Sequence, residues 1–286
     1  MCQVARKKII SASRRTDLVA FFPEWLASVI KSEEAKVFGP SGHTYTVDLN
    51  PQNVHTVVLW SKNFGNFIDN GFGLRDEFHK YDQLYLHFTI TGLGGSFVEQ
   101  GVPEPVFALS QLESLIEIVG NPKRVSVRFD PVIYWREDTT EKTNLQFFEK
   151  LAPILQHKGI KDIHISFAQW YNKAKRRAVK KGFVYRDPPF EKKVEDAKQL
   201  RQIAKSYELD LHLCCQATLS DASGIPPSSC IDGILLKKLH PDQAIVSTKK
   251  DRTQRKECLC TESVDIGSYT QFCPHSCLYC YANPKV

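Results

Sequence analysis

The stretch that decides the fold runs from residue 84 to residue 129. It holds Leu84-Tyr-Leu-His-Phe-Thr-Ile90, then Ser110-Gln-Leu-Glu-Ser-Leu-Ile-Glu-Ile-Val-Gly120, then Arg124-Val-Ser-Val-Arg-Phe129. The first and third segments are short runs of β-branched, aromatic and aliphatic residues, which read as strands. The middle segment has the 3.6-residue period of a helix. Ser110 and Glu113 form a capping box, and Gly120 stops the helix. Two strands joined through a helix pair in parallel, because a parallel connection needs a long crossover.

The same alternation extends outward in both directions. Strands are expected at Lys8–Ala12, Thr56–Trp60, Asp162–Phe167 and Leu209–Cys214, with a weaker one at Gly233–Leu236. Helices are expected at Glu24–Ser32, Gln111–Val119, Lys142–His157 (stopped by Gly159) and Lys192–Tyr207. Such a series gives an α/β fold with a mostly parallel sheet. Roughly six to eight units favour a TIM-like parallel barrel, whole, partial or permuted. An open doubly wound sheet is the alternative, since periodicity does not show closure. Residues 1–247 are assigned to the barrel and residues 248–286 to a cysteine-rich tail packed on its mouth. Residues Thr248–Cys260 read as an exposed connection, because the run Lys249-Lys-Asp-Arg-Thr-Gln-Arg-Lys-Glu257 has no apolar face.

The chain has 286 residues, 42% of them hydrophobic, enough for a large core. A formal net charge of +6 leans mildly towards anionic partners. No apolar run reaches the ~18 residues of a membrane helix, so no membrane partner is expected. The N-terminal stretch has no apolar segment of signal-peptide length. A cytoplasmic setting with reduced thiols is therefore expected, in which nine cysteines point to metal rather than disulfides.

The expected strands end in polar chemistry: Arg14, Arg15 and Asp17 after the first, Lys62 and Asn63 after the second, Thr91 and Gly92 after the third, Arg128 and Asp130 at the fourth. Ligands of parallel α/β folds sit at these carboxyl ends. Polar loops are common there in any case, so the accumulation counts for more than any single residue.

Five cysteines lie between Cys258 and Cys280, and three of them form Cys273-Pro-His-Ser-Cys277-Leu-Tyr-Cys280. Structural zinc takes four closed ligands. An iron–sulfur cluster held by three cysteines leaves one iron open. Cys258-Leu-Cys260 can serve a second cluster, close the first as its fourth ligand, or join Cys277 and Cys280 around zinc.

The segment Cys273-Pro-His-Ser-Cys277-Leu-Tyr-Cys280-Tyr-Ala-Asn283 resembles the cluster loop of radical S-adenosylmethionine enzymes, in the form found in the spore photoproduct lyase branch. That resemblance implies a [4Fe–4S] cluster on Cys273, Cys277 and Cys280, whose open iron chelates S-adenosylmethionine, with Tyr279 beside the adenine. It also implies a ferredoxin- or flavodoxin-type electron donor and hydrogen abstraction from a substrate it does not identify. Thr91-Gly-Leu-Gly-Gly-Ser96 is similar to the glycine-rich strand end that helps hold the cofactor's amino group, and a tight loop is the alternative reading. In those enzymes the cluster loop follows the first strand, whereas here it comes last, as in a permuted arrangement. The whole chain looks like an uncharacterised bacterial domain family with landmarks at Ser11–Asp17, Trp60–Asn63, Thr89–Gly92, Arg128–Pro131 and the cysteine tail.

The leading expectation is thus a radical S-adenosylmethionine-type enzyme. Cofactor and substrate contacts are expected from Arg14, Arg15, Asp17, Lys62, Asn63, Thr91, Gly92, Gly94, Arg128, Asp130 and Tyr279. One alternative is a zinc-stapled nucleic-acid-binding protein, using the basic run Lys173–Lys181 with Trp170, Tyr171, Phe183 and Tyr185 to stack bases. Another is a redox or sensor protein with a closed cluster. Of the vicinal pair Cys214-Cys215, strand alternation predicts that only one faces a site. Cys2 and Cys230 read as spare thiols.

Overall fold

Six parallel strands follow one another across a sheet in the order in which the chain makes them. They are β1 (Lys8–Ala12), β2 (Val54–Ser61), β3 (Leu84–Thr89), β4 (Val125–Val132), β5 (Asp162–Phe167) and β6 (Asp210–Leu213). A short seventh strand, β7 (Val264–Asp265), adds in parallel outside β1, so residues from the cysteine-rich region complete the sheet. The computed structural model describes residues 6–39, 42–282 and 284; Cys2 and Asn283 lie outside them.

The parallel seven-stranded sheet agrees with the α/β expectation. A closed barrel is not shown: among the described residues no ladder joins β6 to β7. Isolated bridges from Leu213 to Pro227 and from Lys7 to Val246 stand at the ends of β6 and β1 instead.

Register separates two faces with different chemistry. Phe88, Val127, Ile163 and Leu211 form one row across neighbouring strands and lie in the main hydrophobic core. The helices α1 (Pro23–Lys31), α2 (Pro105–Val119), α3 (Phe147–His157) and α5 (Phe190–Ser206) bring apolar residues to that core. The next row, Thr89, Arg128, His164 and His212, faces the other way. That second face carries a polar network and a smaller apolar cluster containing Cys215, Cys230, Cys258 and Cys260. Between β5 and β6, α4 (Asn172–Lys180) precedes α5.

Three local readings change. The helix containing Ser110 begins at Pro105, whose fixed φ and missing N–H suit a first helical position. Ser110 is interior, and its hydroxyl bonds back to the Phe107 carbonyl rather than capping the helix. Lys142 belongs to a β-hairpin, Tyr134–Glu137 with Thr140–Thr143, so α3 starts at Phe147. The expected strand at Gly233–Leu236 is a helix, α6 (Gly233–Leu239), because Asp232 Oδ1 accepts from the amides of Ile234 and Leu235. A short apolar run does not by itself distinguish strand from helix.

Candidate functional site

A cavity of about 810 Å³ opens at the carboxyl ends of the strands. Pockets of about 300–1,000 Å³ suit small-molecule ligands. Arg14, Lys62, Thr89, Arg128, Asp130 and Cys214 line it from the ends of five strands. A smaller pocket of about 170 Å³ shares Arg128, Asp130, Cys214 and Tyr281 and reaches Tyr279 and Cys280.

The residues around this cavity are charged but largely paired. Arg128 donates to Asp130 and, through Nη1 at 2.8 Å, to Cys230 Sγ. Asp130 also accepts from the Ser166 hydroxyl. Both Arg14 and Arg128 lie over Trp60, each 5.4 Å from the ring centre. Arg14 Nη1 donates to Ser263 at 3.2 Å, whereas its Nη2 is buried without a hydrogen-bond partner. Lys62 Nζ donates to Glu99 at 2.9 Å. Burial opposes the charge on Lys62, but Glu99 and then Cys277 hold its pKa above the ordinary value.

Glu99 is a functional candidate that sequence reasoning missed. It is fully buried and accepts from Lys62, from the Thr91 hydroxyl at 2.8 Å and from the Tyr279 hydroxyl. It therefore ties the glycine-rich loop, the end of β2 and the cysteine tail together. A glutamate in a loop carries no spacing signal that would have announced this.

Several expected ligand contacts serve the protein instead. Asp17 caps the short helix Leu18–Phe21 and accepts from Ala20 N, Ser61 Oγ, Lys62 N and His275 Nε2 at 2.7–2.9 Å. Its carboxylate is a clamp between strand ends and tail. Asn63 folds its own turn, accepting from Gly65 N and Gln111 Nε2. Arg15 turns towards the tail, where it bonds the Gly267 carbonyl and packs over Tyr269. Thr91 bonds Glu99. A Cβ on Gly94 would stand 1.8 Å from the Pro103 carbonyl oxygen, and one on Gly92 2.3 Å from the Phe147 ring. Those glycines make room for protein atoms.

The tail lies across the strand ends. Leu278 N bonds Val98 O, Gly101 N bonds His275 O, and His275 Nδ1 meets Gly101 O at 2.8 Å. Arg177 donates to the carbonyls of Leu278 and Cys280. Burial pushes the Cys273 thiol up to about 11, with Asp17 adding to the effect. Burial also raises Cys277 and Cys280, while Lys62 opposes the rise at both and Arg177 at Cys280. Two cations thus stand where three thiolates would need neutralising. Among the described residues no group of three or more His, Cys, Asp or Glu side chains is already arranged around a single metal ion. A four-iron cluster is wider than an ion and spreads its sulfur ligands farther apart. The donor set therefore fits in kind: three thiols on one loop, with cations beside them.

Cys258 and Cys260 do not accompany the tail thiols. They face Cys215 and Cys230, and Cys214 Sγ is 3.9 Å from both Cys215 Sγ and Cys230 Sγ. Both vicinal thiols line the large cavity. Alternation failed because β6 ends at Leu213 and Cys215 has φ 51, outside strand geometry. Cys230 is buried in the same group rather than spare. Hydrogen bonds from Cys214 and Cys260, with Arg128 nearby, hold its thiol well below the ordinary value.

The basic run forms α4, and three of its four expected base-stacking aromatics, Trp170, Phe183 and Tyr185, pack on one another while Tyr171 stays exposed. Trp170 lies 4.4 Å from Tyr185 and 5.9 Å from Phe183 between ring centres. No helix among the described residues is long and apolar enough to cross a membrane.

The chain belongs to the family described as Domain of unknown function (DUF1848), whose model matches residues 9–282. No curated protein matches it. Among solved structures it is similar to the carboxyl transferase domain of Rhizobium etli pyruvate carboxylase, at 11% identity and a TM-score of 0.29. That match covers 85% of this chain and 39% of the other. A variant of the same domain solved with pyruvate gives 10% identity and the same score of 0.29, covering 85% and 40%. The chain thus spans about two fifths of those proteins, and likeness at this level supports no functional inference.

Proposed function

We propose that this DUF1848 protein is a radical S-adenosylmethionine-type enzyme, with a [4Fe–4S] cluster on Cys273, Cys277 and Cys280. One observation carries the reading: the CxxxCxxC loop lies on the carboxyl ends of the parallel strands, and Cys280 and Tyr279 line a pocket adjoining the large cavity. The strand order, consecutive along the chain, is also that of a singly wound α/β barrel. In this reading residues 1–247 supply six strands of that barrel, incomplete or permuted, and residues 248–286 add β7 beside β1 and cap its mouth.

When bound, the cluster supplies one electron for reductive cleavage of S-adenosylmethionine, and hydrogen abstraction from the substrate follows. The chain's own residues position and shield. Lys62 beside Cys277 and Cys280, and Arg177 beside Cys280, would offset part of the negative charge that cluster-bound thiolates bring into this buried loop. The unpartnered Nη2 of Arg14 offers a donor to a carboxylate in the cavity. Tyr279 gives its hydroxyl to Glu99, so its ring is what remains for an adenine. His275 and Asp17 hold the loop shut against water. Asp130, held by Arg128 and Ser166, forms an ordered wall for the substrate. A cytoplasmic ferredoxin or flavodoxin is the proposed donor.

The test is anaerobic reconstitution with iron and sulfide, followed by reduction with S-adenosylmethionine present. The expected result is a brown protein that releases 5′-deoxyadenosine, and loss of that release in a Cys273→Ala, Cys277→Ala, Cys280→Ala variant. Colourless protein holding about one zinc per chain overturns the reading.

A further inference from the structure

The five remaining described cysteines come from three separate parts of the chain and meet on the polar face of the sheet. Cys214 and Cys215 follow β6, Cys230 lies in the loop before α6, and Cys258 and Cys260 come from the surface loop before β7. Cys214 touches Cys215 and Cys230, each at 3.9 Å. Cys215 faces Cys258, Cys258 faces Cys260, and Cys260 faces Cys230. The contacts close a ring of five sulfurs.

We infer that Cys214, Cys215, Cys230, Cys258 and Cys260 form a second thiolate centre for a soft metal, independent of the terminal motif. Four features of the molecule support it. Packing alone does not explain five thiols meeting sulfur to sulfur, since apolar side chains would fill the space without weak polar contacts. All five line the large cavity, so a bound group has room beside them. Arg128 donates to Cys230 Sγ at 2.8 Å, and Arg14 stands beside Cys260 and Cys230. Arg14 Nη2, buried without a partner, carries two N–H groups, so one can face a sulfur-bound anion while the other faces the cavity.

The ligand chemistry is thiolate sulfur with guanidinium neutralisation, and binding displaces the thiol protons. An iron–sulfur cluster and a zinc ion both use it, and a zinc ion would have to draw four of the thiols together, since among the described residues no three side chains already surround one ion. The ring does not depend on the radical reading: its members are neither in the CxxxCxxC loop nor needed for that loop's contacts with Asp17 and Glu99.

The experiment uses the full chain carrying Cys273→Ala, Cys277→Ala and Cys280→Ala. It is loaded anaerobically in two arms, with zinc alone or with ferrous iron and sulfide, then desalted. Retention of about one zinc or about four irons is expected, and the arm that retains metal identifies the occupant. Retention should disappear on adding Cys215→Ser, Cys230→Ser and Cys260→Ser, and Arg128→Met should weaken it roughly 10- to 100-fold. Loss of both metals from a triple variant with native circular dichroism overturns the inference. If the triple variant does not fold, the chain with intact tail decides. With and without the three ring serines, it should differ by one centre's metal, and equal loads overturn the inference. An enzyme that fails to cleave S-adenosylmethionine but passes this test loses only the proposed function.

Discussion

The two thiol groups differ in how far the chain must travel to assemble them. Cys273, Cys277 and Cys280 share one loop, and folding needs only to seat that loop on the strand ends. The five-sulfur ring joins positions as distant as Cys214 and Cys260, so it exists only once β6, the loop around Cys230 and the segment before β7 have all docked. The local group has fixed internal spacing and an adjustable seat. The dispersed group has no internal spacing, and its geometry is the geometry of the fold. Perturbing the seat should therefore disturb the tail thiols and leave the ring nearly unchanged.

Asp17→Ala is the strongest way to break that separation. It strips a buried acceptor from the Ala20 and Lys62 amides, the Ser61 hydroxyl and His275. Unsatisfied buried donors cost about 1–3 kcal/mol each and do not add fully, so about 4 kcal/mol is expected. Anaerobic labelling of the metal-free protein, read residue by residue by mass spectrometry, should show Cys273, Cys277 and Cys280 reacting roughly 1,000-fold faster. Cys230 and Cys260 should change by less than about threefold if the ring keeps its own anchors. Equal acceleration of both groups would show that they open as one unit.

Glu99→Gln should come next, at about 3 kcal/mol, because it leaves the Lys62 ammonium without its carboxylate. The amide still bonds Tyr279 or Thr91, so the tail loosens without detaching. Its signature is a faster-labelling Cys277, the tail thiol nearest Lys62 and Glu99 in its electrostatics. An unchanged Cys277 rate would contradict the role assigned to Glu99.

Gly101→Ala sharpens the same comparison through shape. A Cβ there would lie 2.4 Å from the Pro274 carbonyl oxygen and 2.9 Å from His275 Cα, both backbone atoms of the tail. Overpacking against backbone costs about 2 kcal/mol. The change touches no charge, so labelling of the tail thiols should rise with no altered salt dependence. A strong salt effect would point to charge rather than to the seat.

Legibility in the sequence follows the same division. The parallel sheet was readable because each strand–helix unit is local, as in residues 84–129 with their strand, helix and stop. The CxxxCxxC loop was readable for the same reason. Arg14, Lys62, Arg128 and Asp130 line the cavity as expected, because the carboxyl ends of parallel strands open on one side of the sheet. Asp17, Asn63 and Arg15 followed the same rule but went to protein partners, since type and position do not reveal which donors arrive from distant loops. Cys230 read as spare because nothing within its neighbours in sequence signals Cys214 and Cys260. Glu99 was silent, its three partners lying on three other segments. The edge of the sheet was also beyond reach, because closure depends on pairing between the first and last parts of the chain.

The smallest expected effect lies beneath the ring and depends on pH. His164 meets Asp162 at 3.0 Å, and Asp162 also accepts the Tyr85 hydroxyl at 2.8 Å. Burial opposes charge on both residues, but each holds the other ionised: the His164 pKa is raised and that of Asp162 lowered. A raised histidine stabilises fully below its ordinary value of 6.5, and that contribution fades as pH rises through the folded value. A lowered carboxylate stabilises above its ordinary 3.8 and loses that contribution as pH falls. The pair therefore contributes most between about pH 4 and 6.5. Asp162→Asn should lower stability by about 2 kcal/mol near pH 5.5, with the gap to the parent narrowing steadily towards pH 9. Thermal unfolding across that range measures the gap. Because Ser228 bonds His164 at 2.6 Å and also touches Cys230 Sγ at 3.3 Å, the variant-to-parent ratio of ring labelling should follow the same pH course, while that ratio for the tail thiols stays flat. A gap that is constant with pH would mean the pair acts through shape alone, and a tail that responds as the ring does would remove the independence of the two thiol groups.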